Sequence, residues 1–153
     1  MRADLPAVFG EQDSRVRSVT ASDTEALSHL LFDAYLGTID QEEDTLDQAR
    51  LEVGRTFSGD YGVFNPTASK VLCAGGRLLS AVLVTHFQNT PFVAFTITSP
   101  AHKGQGLAKV CMLAAMADLA GHGESELRLV VTLANEPAMR LYRSVGFKAE
   151  NAA

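Results

Sequence analysis

A glycine-containing segment at residues 99–109 has the composition of an anion-binding loop. It lies between a strand pattern and a helix pattern and reads Ser-Pro-Ala-His-Lys-Gly-Gln-Gly-Leu-Ala-Lys. A helix that begins here would present unpaired backbone N–H groups and a partial positive charge to a phosphate. Glycines let the backbone approach a bulky anion, and the two flanking lysines add charge. On spacing alone, a turn that merely permits tight packing of a strand against a helix explains the glycines as well.

Two common phosphate motifs are not matched by the sequence. The P-loop string G-x-x-x-x-G-K-[ST] does not occur. The dinucleotide fingerprint G-x-G-x-x-G begins at Gly104 but has Lys109 in place of its third glycine. A nucleotide-binding regulator is therefore disfavoured.

A second notable segment spans residues 135–147. Asn135 suits a helix cap, Pro137 suits the first turn, and Gly146 suits the end of a helix. An apolar stripe at i, i+3, i+4 and i+7 is formed by Ala138, Leu141, Tyr142 and Val145. Taken alone, this pattern predicts an ordinary amphipathic helix with its tyrosine in the core.

The remaining patterns predict the elements that position these two segments. We expect a strand over 15–20, helices over 23–37 and 41–57, a loop over 58–67, hairpin strands over 70–74 and 78–87, a strand over 92–98, a helix over 104–120, a strand over 127–133 and the last helix. This order predicts an α/β fold with a mixed central sheet and helices on both faces. Residues 1–14 show no periodicity and are predicted to be a flexible tail before a single domain at 15–153.

Composition excludes several classes of function. A net charge of −5 argues against a nucleic-acid partner, which a basic face would attract. The longest apolar stretch is too short to cross a bilayer and the start lacks a signal-peptide pattern, so we expect no membrane partner and a cytoplasmic location. The two cysteines, Cys73 and Cys111, are far apart and form no Cys/His cluster, so no metal site is expected.

Together the two segments resemble the GNAT family of N-acetyltransferases. The cofactor loop of that family reads [Q/R]-x-x-G-x-[G/A], and its later helix often reads N-x-x-A-x-x-x-Y-x-x-x-G-F. In this sequence the positions of the first motif are occupied by Lys103, Gly106 and Ala108. The second motif is matched at Asn135, Ala138, Tyr142, Gly146 and Phe147. The element order also agrees, so the resemblance covers about residues 15–148.

The resemblance implies acetyl-CoA as the cofactor. It assigns cofactor contacts to Thr96, Ile97, Thr98, Lys103, Gly104, Gln105, Gly106, Leu107, Ala108, Lys109 and Asn135. Backbone groups of residues 96–98 would pair with the pantetheine arm in a gap between splayed strands, and N–H groups of residues 104–109 would hold the pyrophosphate. Asn135 would form a hydrogen bond with the cofactor near its thioester end. Tyr142 would be the catalytic acid that protonates the departing thiolate.

The implied activity is transfer of acetyl to a primary amine by direct attack in a ternary complex. The acceptor is a small molecule, a peptide or a protein. A catalytically weak acetyl-CoA-binding sensor or scaffold is the alternative. No general base is evident: Glu42, Glu43, His86 and His102 are candidates, although an acidic helix start or a loop histidine explains each of them.

The sequence departs from the family in two places. Lys103 replaces Gln or Arg, which loses the planar fork of an arginine. The family adds a two-stranded hairpin after the position of Phe147, whereas this sequence has six further residues. We therefore expect a truncated C-terminal hairpin and an exposed sheet edge, which a homodimer or another closely apposed partner covers. The wall of the acceptor site that the missing strand would form is supplied by a partner subunit, is absent and leaves the site open, or lies beyond residue 153.

Overall fold

A mixed sheet forms the centre of a computed structural model that describes residues 1–5, 13–36 and 45–150. Its strands are β1 Arg2–Asp4, β2 Val16–Ser18, β3 Val63–Phe64, β4 Lys70–Ala74, β5 Arg77–Phe87, β6 Thr90–Thr98 and β7 Glu126–Arg128. Their order is β1-β7-β6-β5-β4-β2, with β3 paired to β5. Only β6 and β7 run parallel among the described pairs, so the predicted mixed sheet is confirmed.

Helices cover both faces of this sheet, as predicted. Their bounds are α1 Thr24–Tyr35, α2 Leu46–Ser58, α3 Leu107–Gly121 and α4 Glu136–Ser144. Side chains of a strand alternate between faces. Val82 and Val84 of β5 accordingly share a buried cluster with α3 and α4, while Ala81 and Leu83 share one with α1 and α2. None of these described helices combines the length and the apolar character that a membrane crossing requires.

Two tight hairpins place β6 beside β5. Gly75 and Gly76, with φ of 59° and 74°, form the turn between β4 and β5. Positive φ at both central residues matches the twist of a two-residue hairpin. Gln88 and Asn89, with φ of 52° and 63°, make the next turn without glycine. As a result one edge of β6 pairs with β5 along its length, and the other edge faces β7.

The strands β6 and β7 separate soon after they meet. Phe92 and Arg128 are their one registered pair among the described residues. The predicted strand over 127–133 is too long, because β7 ends at Arg128. Beyond it, Leu129 donates its N–H to the carbonyl of Met1 at 3.0 Å, and the side chain of Val130 is 82% exposed. A gap therefore opens between β6 and residues 129–134.

The prediction of a flexible tail over residues 1–14 is wrong at residues 2–4, which form the strand β1. Arg2–Asp4 pairs antiparallel with β7, and Ala3 is fully buried opposite Leu127. On its other side, Arg2 exchanges two backbone hydrogen bonds with Lys148, of 3.0 and 2.9 Å. The edge of β7 is thus paired within the chain, and the exposed edge that we expected is not found there. Residues 6–12 of the predicted tail lie outside the described residues.

Other boundaries differ at the ends of elements. Thr45 caps α2, because its Oγ1 accepts from the N–H of Gln48 and the Gln48 side chain accepts in return from the N–H of Thr45. The predicted helix start near residue 41 and the predicted helix end at Gly37 lie outside the described residues. The predicted loop over 58–67 contains β3, which pairs with the end of β5.

Candidate functional site

A cleft of about 1130 Å³ lies where β6 and β7 diverge. Among the predicted site residues it is lined by Thr96, Ile97, Thr98, Lys103, Gly104, Gly106, Ala108, Lys109, Asn135 and Tyr142. Gln105 and Leu107 do not line it. The side chain of Gln105 is exposed, and Leu107 is 4% exposed in the core. Residues that are distant in sequence thus share one concave surface, as in most small-molecule sites.

One wall of the cleft is the second edge of β6. Residues 96–98 line the cleft there, while Thr98 pairs with Ser80 of β5 on the other edge. A β-bulge interrupts this strand: Leu83 pairs with Phe95 and Val84 with Val93, so Ala94 is an extra residue. The extra residue of a bulge is left out of the ladder, and bulges often lie beside active sites. Ala94 also lines the cleft, so the bulge belongs to the site.

The glycine loop and the start of α3 form the next wall. Gly104 and Gly106 have φ of 79° and 75°, in the left-handed region that favours glycine. A Cβ built at either position would meet no protein heavy atom within 4 Å. The glycines are therefore explained by their backbone conformation and not by close packing, and the open space in front of them leaves room for an anion. The first N–H groups of α3 and the exposed Lys109 lie at this end of the cleft.

Lys103 is anchored beside this loop. Its Nζ lies 3.4 Å from the carbonyl oxygen of Ala34, at the end of α1. An ammonium suits the partial negative charge of a helix C-terminus. Lys103 therefore links the loop to α1 while its side chain lines the cleft.

Helix α4 supplies the third wall. Asn135 caps it by accepting a hydrogen bond from the N–H of Ala138 at 3.3 Å. Tyr142 is 8% exposed and packs edge to face on Phe147, with ring centroids 5.7 Å apart. Tyr142 is thus a core aromatic and a cleft residue at once, because one side of it lines the opening.

Of the four predicted base candidates, the structure describes the two histidines. Glu42 and Glu43 lie outside the described residues. His86 Nε2 lies 2.9 Å from Nδ2 of Asn65, and His102 Nδ1 lies 3.2 Å from Oγ of Ser99. Neither histidine lines the cleft.

Two other polar residues of the cleft belong to no sequence motif. The hydroxyl of Tyr61 donates to Oε2 of Glu52, and both residues line the cleft. The hydrogen bond to Glu52 and burial raise the pKa of Tyr61. In sequence, Glu52 resembles a solvent-facing helix residue and Tyr61 falls in a predicted loop, so no local pattern marks either residue.

Charge is distributed unevenly along the cleft. Lys103 and Lys109 lie near the glycine loop, which follows the end of β6 at Thr98. Tyr61 lies toward the opposite end, since its carbonyl accepts from Thr85, which pairs with Phe92. Among the described residues that line the cleft, Glu52 is the one acidic side chain, and the cations are Lys103, Lys109 and Arg140. This arrangement suits an anionic ligand near the loop, whereas at the other end the charge of Glu52 is shared with Arg55, whose Nη1 lies 3.3 Å from Oε1 of Glu52.

Comparisons with known proteins give a consistent result. The model of the Acetyltransferase (GNAT) family matches residues 25–147. No curated protein matches the chain. Solved structures with the same fold include the PaiA N-acetyltransferase from Thermoplasma acidophilum in complex with coenzyme A, at 20% identity and a TM-score of 0.69, covering 90% of this chain and 91% of that one.

Two further structures show the same fold. The aminoglycoside N-acetyltransferase AAC(6')-Iy, with the bisubstrate analogue CoA-S-monomethyl-acetylneamine, is 14% identical, with a TM-score of 0.68 and coverage of 94% of this chain and 95% of that one. The ribosomal-protein-S18-alanine N-acetyltransferase from Escherichia coli is 18% identical, with a TM-score of 0.68 and coverage of 89% and 78%.

Proposed function

The chain belongs to the GNAT acetyltransferase family, and from this premise we propose that it moves acetyl from acetyl-CoA to a primary amine by direct attack in a ternary complex. One observation carries the proposal. The glycine loop, the second edge of β6, Asn135 and Tyr142 line a single cleft, although they come from separate parts of the chain. A substrate that touched all of them would have its thioester close to a phenolic hydroxyl.

The residues of the cleft fit an acetyl-CoA molecule. Acetyl-CoA supplies an activated acetyl thioester. The first N–H groups of α3, with Lys103 and Lys109 nearby, would hold its phosphates. Backbone groups of residues 96–98 would form hydrogen bonds with the pantetheine amides, as they would with a neighbouring β-strand. Asn135 would donate a hydrogen bond from Nδ2 near the thioester, while its Oδ1 caps α4.

Two groups would stabilise the reacting thioester. The oxygen of an attacked carbonyl gains negative charge, which a fixed N–H donor stabilises. The bulged residue Ala94 offers a backbone N–H that is not part of the ladder with β5. The hydroxyl of Tyr142 would protonate the departing sulfur, a contribution of roughly 10²–10⁴-fold for a general acid.

Transfer to an amine separates this proposal from the alternative of a sensor or scaffold. The protein is incubated with acetyl-CoA and a panel of amines, and free thiol is followed. The panel takes its chemistry from the related structures, an aminoglycoside and a peptide with N-terminal alanine, and adds a lysine peptide and an alkyl diamine. Thiol release that requires an amine supports the enzyme. Acetyl-CoA binding without amine-dependent release supports the sensor or scaffold.

Assembly and location complete the proposal. The homodimer stays a prediction, and its original reason, an exposed edge at β7, is removed by the pairing of that edge with β1. Light scattering of the purified protein reads the oligomeric state directly. The cytoplasmic location also stays a prediction, which cell fractionation tests.

A further inference from the structure

We propose that Tyr61 and Glu52 form the acceptor-side proton relay of this cleft, with Tyr61 in contact with the acceptor amine and Glu52 taking the proton through it. The inference rests on the proposed acetyl transfer and adds to it. It assigns a function to two residues that no motif marks. It also defines the acceptor by its chemistry, as an amine that enters the cleft as an ammonium.

The relay lies across the cleft from Tyr142. Tyr142 belongs to α4 and to the buried cluster shared with α3. Glu52 belongs to α2, which packs on the other face of the sheet. The cleft is lined by residues from both faces, because β6 and β7 diverge between them. An amine held at Tyr61 would therefore approach the thioester from the side opposite to Tyr142.

The hydrogen bonds of Glu52 fix what Tyr61 presents to a ligand. Oε2 of Glu52 accepts the hydroxyl proton of Tyr61, and Oε1 lies 3.3 Å from Nη1 of Arg55. A tyrosine hydroxyl has one proton and two acceptor lone pairs. Because the proton is committed to Glu52 and Arg55 also hydrogen-bonds this hydroxyl, Tyr61 offers a ligand only its remaining acceptor position, which selects an N–H donor such as an ammonium.

Two further charged groups lie beside the pair. Arg55 hydrogen-bonds both Tyr61 and Glu52, and its positive charge opposes an incoming ammonium. Asp60 lies 3.9 Å from Nε of Arg55, so the carboxylates of this group outnumber the guanidinium. The hydrogen bond to Glu52 and burial raise the pKa of Tyr61, so its resting state is the neutral phenol. The Glu52 side chain is 18% exposed, which leaves water a path to collect the transferred proton.

An acceptor that enters as an ammonium loses two protons from nitrogen when it becomes an amide. Its first proton moves to Oη of Tyr61 while the proton of Tyr61 moves to Oε2 of Glu52, and Glu52 then releases it to water. The neutral amine attacks the thioester carbonyl carbon, so a C–N bond forms and the C–S bond breaks. Sulfur leaves with the proton of Tyr142. The second proton on nitrogen restores Tyr142 through water.

Two conservative variants and one control test the relay. Glu52→Gln and Tyr61→Phe keep the size of each side chain but block the transfer. Asp47→Asn is the matched control, since Asp47 lies on the same helix, is 87% exposed and does not line the cleft. At pH 7 we expect both relay variants to lose roughly 10²–10⁴-fold in kcat/KM with the best amine of the panel, and the control to match wild type.

The pH profile separates a relay from a structural role. Without the relay the acceptor must lose its proton unaided, so activity of both variants should rise toward pH of about 10, where alkyl amines deprotonate, and the deficit should shrink there. An aromatic amine is already neutral at pH 7 and should be acetylated equally by variant and wild type. A merely structural defect would persist at high pH and with both acceptors.

Two measurements on the protein without acceptor complete the test. Ultraviolet titration should show a tyrosine that ionises at lower pH in Glu52→Gln than in wild type. Calorimetry should show unchanged acetyl-CoA affinity in both variants. Wild-type pH profiles in Glu52→Gln and Tyr61→Phe would overturn the relay while leaving acetyl transfer intact. Acetyl-CoA binding with no transfer to any amine would overturn the relay together with the proposed function.

Discussion

Replacement of Gly106 by valine should weaken cofactor binding while the protein stays folded. Gly106 belongs to the proposed phosphate site, which consists of the glycine loop and the first N–H groups of α3. Gly106 has φ of 75°, a conformation that costs a residue with a side chain roughly 1–3 kcal/mol. Its Cβ would meet no protein atom within 4 Å, so no clash inside the protein adds to that cost. A domain of this size is stable by about 5–15 kcal/mol, and Gly106→Val should therefore remain folded.

The effect on the cofactor is expected to be larger. Gly106 lines the cleft, so a valine side chain would occupy space that the pyrophosphate needs. Hydrogen bonds to charged groups contribute about 1.5–3 kcal/mol each. Displacement of the phosphate from two N–H groups would thus cost roughly 3–6 kcal/mol, which corresponds to a rise in Kd of roughly 10²–10⁴-fold.

Gly75→Val is the matched control. Gly75 also has positive φ, of 59°, and open space around its Cβ, but it lies in the turn between β4 and β5, outside the cleft. Both variants should lose similar stability in thermal unfolding. Calorimetry with acetyl-CoA should show wild-type affinity for Gly75→Val and a large loss for Gly106→Val. Unchanged affinity for acetyl-CoA in a folded Gly106→Val protein would show that the glycine loop does not bind the pyrophosphate.

Three further predictions concern the acid, the cap and an ion pair. Tyr142→Phe should lower kcat by roughly 10²–10⁴-fold with little change in acetyl-CoA affinity or stability, and wild-type turnover would remove Tyr142 from the chemistry. Asn135→Ala should cost about 1 kcal/mol in unfolding and weaken acetyl-CoA binding, whereas Asn135→Asp should keep the cap and still weaken binding in calorimetry. Oδ1 of Asp23 lies 2.7 Å from Nη2 of Arg17, and the hydrogen bond between them is the chief reason that the pKa of Asp23 is lowered. The ionised Asp23 therefore stabilises the folded state above pH of about 4, and this stabilisation is lost as the pH falls. Asp23→Asn should lower stability by about 1–2 kcal/mol at pH 7, and the difference from wild type should vanish as denaturation is repeated at falling pH.

The long elements were predictable from sequence because local signals agreed. β5 and β6 are long apolar runs that flank a short turn, and α4 has a cap and an apolar stripe. The short strands β1 and β3 were not predicted, although β2, which is as short as β1, was. β1 has one buried residue, Ala3, and forms because β7 and Lys148 flank it. β7 ends early because its neighbour diverges, although the apolar run continues to Leu133.

The site was predictable where its residues are close in sequence. The glycine loop and the segment from Asn135 to Tyr142 each form a compact motif. Glu52 and Tyr61 are nine residues apart, in a helix and a following turn, and only the tertiary structure brings them into the cleft. The bulge at Ala94 likewise depends on the register between two strands, which no local pattern encodes.

Amine-dependent acetyl transfer by the purified protein is the decisive property to measure. Acetyl-CoA is supplied with each amine of the panel, the release of free thiol is followed over time, and the mass of the acceptor is measured by mass spectrometry. An N-acetyltransferase should release thiol only when a particular amine is present and should yield an acceptor heavier by one acetyl group. Saturable acetyl-CoA binding with no acetylated amine, or no acetyl-CoA binding at all, would contradict the proposed acetyl transfer.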